Sequence, residues 1–217
     1  MIKLNSFSIE VIANIFTVID GKIKILLTKK TNEPYKGYWM LPSKMLNEGT
    51  IEDNINILLK EQIQTENIYL EQDYTFSSIN RVPNDKVIAV SYICIVDGVT
   101  AQKINNNSEL VWFSINEIPK MAFDHKEIID KSINKLKIRL VNTNVLKCLF
   151  PSDFTLPELQ CIYEFILDKK LDRRNFRKKF IGLDLIEDTG YKNDGKNGRP
   201  AKLYKFKDNL KNLDLFK

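Results

Sequence analysis

Between Lys169 and Lys179 the chain reads Lys-Lys-Leu-Asp-Arg-Arg-Asn-Phe-Arg-Lys-Lys, seven cations against one anion. Arginine forks bond guanine edges bidentately and asparagine does the same to adenine, while lysine suits phosphate oxygens. Asp172 is placed to cap a helix. On that helix Phe176, Phe180 and Leu183 recur at i, i+4 and i+7 and face inward. Arg173, Arg174, Arg177 and Lys178 then fall on the opposite side, with Asn175 among them at the N-terminal end. A merely solvated helix mixes both signs, as Ile51 to Ile63 does with Glu52, Asp53, Lys60 and Glu61. The basic helix does not mix them, so its chemistry is that of a polyanion-binding surface.

Other reactive residue types carry less. His125 is the only histidine, and neither a cysteine nor a second histidine stands at ligand spacing, so no metal or cofactor is implied. A structural or signal-relaying contact is its expected role. Cys94, Cys148 and Cys161 lie in apolar stretches without a CxxC pattern and read as reduced core cysteines of a cytosolic protein.

The elements that position these residues divide in two. The 217 residues suit two domains rather than one. Residues 1–140 hold 17 Lys+Arg and 17 Asp+Glu, and residues 141–217 hold 16 against 11, so the whole net charge of +5 lies in the C-terminal third. No apolar run approaches the ~20 residues of a membrane span, and the first residues lead straight into a strand-like segment without a signal-peptide core. Ser8 to Val18 and Lys22 to Thr28 read as strands joined by an Asp-Gly hairpin. Ile51, Ile55, Leu58, Leu59 and Gln62 make one helical stripe, and Val87 to Val96 is too continuously apolar to be half exposed. A strand at Leu110 to Phe113 and a helix over Asp124 to Leu140 follow, the helix with Asp124 and Glu127 as a capping box.

After Asn142-Thr143-Asn144 comes a second unit. Val145 to Phe150 is a short helix, Thr155 and Glu158 form a capping box, and Leu159, Ile162, Tyr163, Ile166 and Leu167 are buried on the helix that follows. The basic helix is third. Two strands, Leu185 to Asp188 and Ala201 to Phe206, then flank a turn-rich loop with Lys192, Lys196 and Arg199, and Lys202 follows at its base. Three helices closed by a hairpin describe a winged helix-turn-helix, in which the second helix of the motif enters the major groove and the wing reaches phosphate or minor groove.

The chain resembles the Nudix-related transcriptional regulators. The matching segments are Pro34 to Pro42 (Pro-Tyr-Lys-Gly-Tyr-Trp-Met-Leu-Pro), Tyr69-Leu70-Glu71-Gln72, Arg81-Val82-Pro83 and Met121 to His125. In the second unit they are Phe154 to Leu156, Glu158 to Gln160, Ile162 to Glu164, Asn175 to Arg177 and Gly198 to Tyr204. The resemblance implies an α/β fold: a Nudix-like α/β/α sandwich over residues 1–141 that senses a metabolite, and a winged helix over 142–217 that binds an operator. Nudix hydrolases cleave diphosphates with Mg²⁺ held by a glutamate-rich helix. Here Ser43 and Lys44 replace the glycines of that box, its first Glu falls at Thr50, and Glu61 is the one ligand left. Binding without hydrolysis is therefore implied.

Family effectors include ADP-ribose and related NAD metabolites, or sugars such as arabinose. The resemblance gives Arg81 as a phosphate-binding residue, Lys36 as added charge, and Tyr38 or Trp39 (with Tyr35) as a stacking or sugar-lining surface. Ordinary core packing is the competing role for Tyr38 and Trp39. The expected protein is a cytoplasmic homodimeric regulator, a repressor in the first instance, on double-stranded DNA. A Nudix pyrophosphohydrolase is the alternative. An RNA-binding accessory protein would need a stacking platform, and Phe176 and Phe180 look inward.

Overall fold

In the computed structural model, residues 6–64, 68–104, 109–150, 153–194 and 200–207 are described. They form two compact units, Met1–Thr17 with Lys24–Leu136 and Val18–Ile23 with Lys137–Lys217.

The first unit is built on a mixed sheet. Strands β1 (Ser8–Ile19) and β2 (Lys22–Lys29) meet at Asp20 and Gly21, both at positive φ, the turn that matches the twist of a tight hairpin. With β3 (Trp39–Met40), β4 (Ser43–Met45), β5 (Tyr69–Phe76), β6 (Val87–Ile95) and β7 (Leu110–Ser114), the order is β3-β2-β1-β6-β5. Strand β4 also pairs with β1, and β7 with β2. Only β1 and β6 run parallel among these pairs. Every residue from Val11 to Thr17 is buried, so both faces of the sheet's centre are covered.

Register says by what. Lys44 pairs with Val11 and reaches Glu61 on helix α1 (Ile51–Ile63). Glu10, one residue earlier and so on the other face, reaches Arg81, which holds Asp124 at the foot of helix α3 (His125–Asn142). The sheet is thus sandwiched between α1 and α3, as the α/β/α expectation requires; a shorter helix, α2 (Gly98–Lys103), is capped by Asp97. Helix α1 begins at a capping box in which Thr50 and Asp53 satisfy each other's backbone N–H groups. The capping box expected at Asp124 and Glu127 does not form. Both Asp124 oxygens are on Arg81, and Glu127 pairs with Lys131 four residues on.

In the second unit the segment Val145–Leu149 is a 3₁₀ turn rather than an α-helix. Helix α4 (Leu156–Leu167) opens with the Thr155–Glu158 capping box, and α5 (Arg173–Gly182) is capped by Asp172 through the Asn175 N–H at 2.9 Å. Strands β9 (Ile186–Lys192) and β10 (Lys202–Phe206) form the hairpin, joined by a third strand that the sequence did not announce, β8 (Phe154–Thr155), on β10. Two aromatic clusters make the core. Tyr163 stacks on Phe176 and Phe180 at 5.8 and 5.3 Å, and Phe154 lies between Phe150 and Phe206 at 4.8 and 4.7 Å.

Candidate functional site

The loop after β2 folds back on itself because Gly37, at φ +86, lets its N–H reach the Lys30 carbonyl while Lys30 N–H donates to the Tyr38 carbonyl. Strand β3 then docks on the segment before α3: Trp39 N–H donates to Lys120, and Ala122 N–H to Trp39. The two segments gather aromatic rings and ammonium groups. Tyr35 meets Phe123 at 5.0 Å and Tyr38 at 5.6 Å, both edge-on. Lys120 stands 4.6 Å above the Tyr38 ring and Lys30 5.6 Å above Phe123. Tyr35 and Phe123 both hold positive φ (70° and 51°), a conformation that costs a non-glycine residue about 1–3 kcal/mol and is concentrated at functional sites.

Of the residues named from sequence, Lys36 is exposed and Tyr38 half-buried within this patch. Trp39 is half-buried against Phe113 at 4.7 Å, under Lys29. Lys30, Lys120 and Phe123 were not anticipated as a set. Nothing in their spacing, 90 residues apart, marks them as neighbours.

Arg81 is placed elsewhere. Its side chain is 1% exposed; Nε and Nη2 donate to the two Asp124 oxygens at 2.9 and 3.0 Å, and Nη1 donates to Glu10 at 3.1 Å. A buried guanidinium with each of its three nitrogens bonded to a carboxylate is a structural clamp, not the open fork that a phosphate requires. Next to it, His125 is buried and its Nδ1 accepts the Leu41 N–H at 2.9 Å, which places the proton of the neutral ring on Nε2. Burial, with the Arg81 charge added, pushes the imidazole down to about 3. The unfolded chain therefore binds the extra proton between pH ~6.5 and ~3, and stability is lost as pH is lowered through that window, by up to about 1.4 kcal/mol per unit. His125→Asn keeps an acceptor for Leu41 without the titrating ring. Its urea-unfolding midpoint is expected to vary less than wild type between pH 6.5 and 5; parallel profiles would refute this role.

The Mg²⁺ that a Nudix box implies does not fit here. Thr50 is a helix cap, the Glu61 carboxylate is taken by Lys44 at 2.8 Å, and among the described residues no three His, Cys, Asp or Glu side chains converge on one point. A cation beside the last box glutamate repels a divalent ion.

In the second unit Arg173, Arg174, Asn175, Arg177 and Lys178 are all exposed on α5, while Phe176 and Phe180 are buried beneath. Lys202 is paired with Asp188 across the hairpin at 2.6 Å; Lys196 and Arg199 lie outside the described residues. The turn before α5 is gathered on Glu164, whose carboxylate is held down to about 2 by hydrogen bonds from Lys170, the Leu171 N–H and Gln160. The three cysteines are free, but the expectation that all three are core residues is corrected for two. Cys94 is buried, Cys148 is half-buried and Cys161 is exposed on α4, on the side away from its buried stripe.

A sandwich of this topology followed by a three-stranded winged helix with a cationic outer helix defines a class, the transcription factors that carry a Nudix-like unit. The model of the NrtR DNA-binding winged helix domain matches residues 148–206. The ADPR-responsive transcriptional repressor NtrR of Acinetobacter baylyi is 32% identical over 202 residues, covering 88% of this chain and 79% of that protein. The chain belongs to this NrtR family of Nudix-related transcriptional regulators. Shewanella oneidensis NrtR, solved in complex with a 27mer DNA, superposes with a TM-score of 0.80 at 29% identity, over 92% of this chain and 93% of that one. An ADP-ribose pyrophosphatase of Methanocaldococcus jannaschii is 33% identical over 113 residues, 52% of this chain and 67% of that enzyme.

Proposed function

We propose that the protein is a DNA-binding transcriptional repressor that responds to ADP-ribose, binding it on the Nudix-like unit without hydrolysing it. Residues 1–141 serve as the sensor and 142–217 as the reader. One observation carries the reading: an exposed helix face of unmixed positive charge on a winged-helix scaffold, in a chain whose relative is named for the ADPR response. Two winged helices related by a two-fold axis suit a palindromic operator, so the working form is a homodimer, acting in the cytoplasm. The effector then acts by favouring a dimer geometry whose half-site spacing no longer fits.

The ammonium groups over Tyr38 and Phe123 favour an anionic, ring-bearing effector over a neutral sugar. The paired Lys44 and Glu61 argue against turnover. The test is an electrophoretic shift with the region upstream of its own operon. Specific retardation that ADP-ribose relieves is expected, and no retardation at physiological salt overturns the proposal. Release of AMP from ADP-ribose with Mg²⁺, lost in Glu61→Gln, would instead favour a hydrolase. Tyr38→Ala is expected to weaken ADP-ribose binding about tenfold in titration calorimetry, with the thermal midpoint of the free protein little changed. Equal affinity would remove the aromatic patch from the site.

A further inference from the structure

The residue just ahead of the α5 cap is gripped on both sides. Leu171 donates its N–H to Glu164 Oε1 at 2.9 Å, and its carbonyl accepts from Gln160 Nε2 at 2.8 Å. The same Gln160 nitrogen donates to Glu164 Oε1 at 2.9 Å, and Lys170 Nζ donates to Glu164 Oε2 at 2.8 Å. The main chain of Glu164 takes part as well: its carbonyl accepts the Asp168 and Lys169 N–H groups, with Asp168 in the left-handed conformation that ends α4. One residue of α4 thus fixes the whole path from Asp168 to Leu171.

The body of α5 is held independently, because Phe176 and Phe180 pack on Tyr163. That packing begins at Phe176, two residues beyond Arg174 and three beyond Arg173, so nothing in it holds the residues ahead of Arg173. What remains to be fixed is the N-terminal end of α5, and Leu171 and Asp172 are the residues from which it springs. We propose that Glu164 is a positioning residue for DNA reading: it holds the α4–α5 turn in the register that presents Arg173, Arg174 and Arg177 together. This rests on α5 being the helix that contacts DNA. Base readout tolerates little displacement, since a bidentate fork misplaced by an ångström loses its pairing, whereas phosphate contact survives it.

The experiment compares full-length wild type with Glu164→Ala, Glu164→Gln and Arg174→Ala by amide hydrogen exchange and by binding to operator and to unrelated duplex. Glu164→Ala is expected to speed exchange over Leu171–Phe176 while α1 stays protected. Its ratio of specific to non-specific affinity should fall about tenfold or more. Glu164→Gln keeps an acceptor for the Leu171 N–H and recovers most of both. Arg174→Ala loses specific binding with unchanged exchange. Unchanged exchange in Glu164→Ala, or an unchanged affinity ratio, overturns the proposal. A wild-type chain that does not distinguish operator from unrelated duplex overturns the DNA reading instead, and the two failures are told apart because exchange is measured without DNA.

Discussion

Arg81→Ala is expected to lower the stability of the first unit by about 3–5 kcal/mol, the range for removing one partner of a buried ion pair. The loss comes less from the attraction removed than from what is left behind. Asp124 and Glu10, 16% and 13% exposed, would keep their charges without the guanidinium that solvates them. Three segments come apart together, because Arg81 joins β1 to the start of α3 across sequence separations of 71 and 43 residues. Arg81→Lys does not rescue, since an ammonium cannot face two Asp124 oxygens and Glu10 at once with planar geometry. Urea unfolding of the full chain measures this. A phosphate-binding arginine predicts the reverse: an unfolding midpoint near wild type with ADP-ribose affinity lost.

That difference shows which parts of the molecule a sequence exposes. Elements written in local chemistry were legible. The Asp20-Gly21 turn, the Thr155–Glu158 box and the Asp172 cap all depend on residues within four positions of one another, and each forms; of the α1 stripe Ile55, Leu58 and Leu59 are buried, while Ile51 and Gln62 are half-buried and Ile63 closes the face instead. The two-sided basic helix was legible for the same reason. Partners chosen by the fold were not. Asp124 looks like a helix cap in sequence because nothing there reveals an arginine 43 residues earlier that claims both its oxygens. Strand β5 carries too many polar residues to announce itself, yet it pairs along β6, its Ser132-bonded Asp73 and the Lys135 ammonium over Tyr74 tying it to α3. Strand β8 is two residues long and has no period to detect. The patch of Lys30, Lys120 and Phe123 with Tyr35 and Tyr38 exists only because β3 docks beside Met121.

Replacing Arg174 and Arg177 together by alanine is expected to reduce operator affinity by at least about 100-fold while leaving the fold intact. Both side chains are exposed and neither contributes to the aromatic core, so the unfolding midpoint should move little. Each bidentate contact with a base discriminates by about 1–3 kcal/mol, and two lost contacts multiply. The stem of the wing cannot compensate: Lys202 is neutralised by Asp188 and Lys205 by Glu187, so that part of the hairpin adds almost no net charge. Salt separates the two kinds of contact. Lys178→Ala, which removes a proposed phosphate contact, should weaken operator and random duplex alike and lower the slope of log affinity against log salt by about 1. The arginine pair should instead collapse the distinction between the two duplexes. Retention of operator preference in the double variant would move sequence reading off α5, and a salt slope unmoved by Lys178→Ala would take that lysine out of the interface.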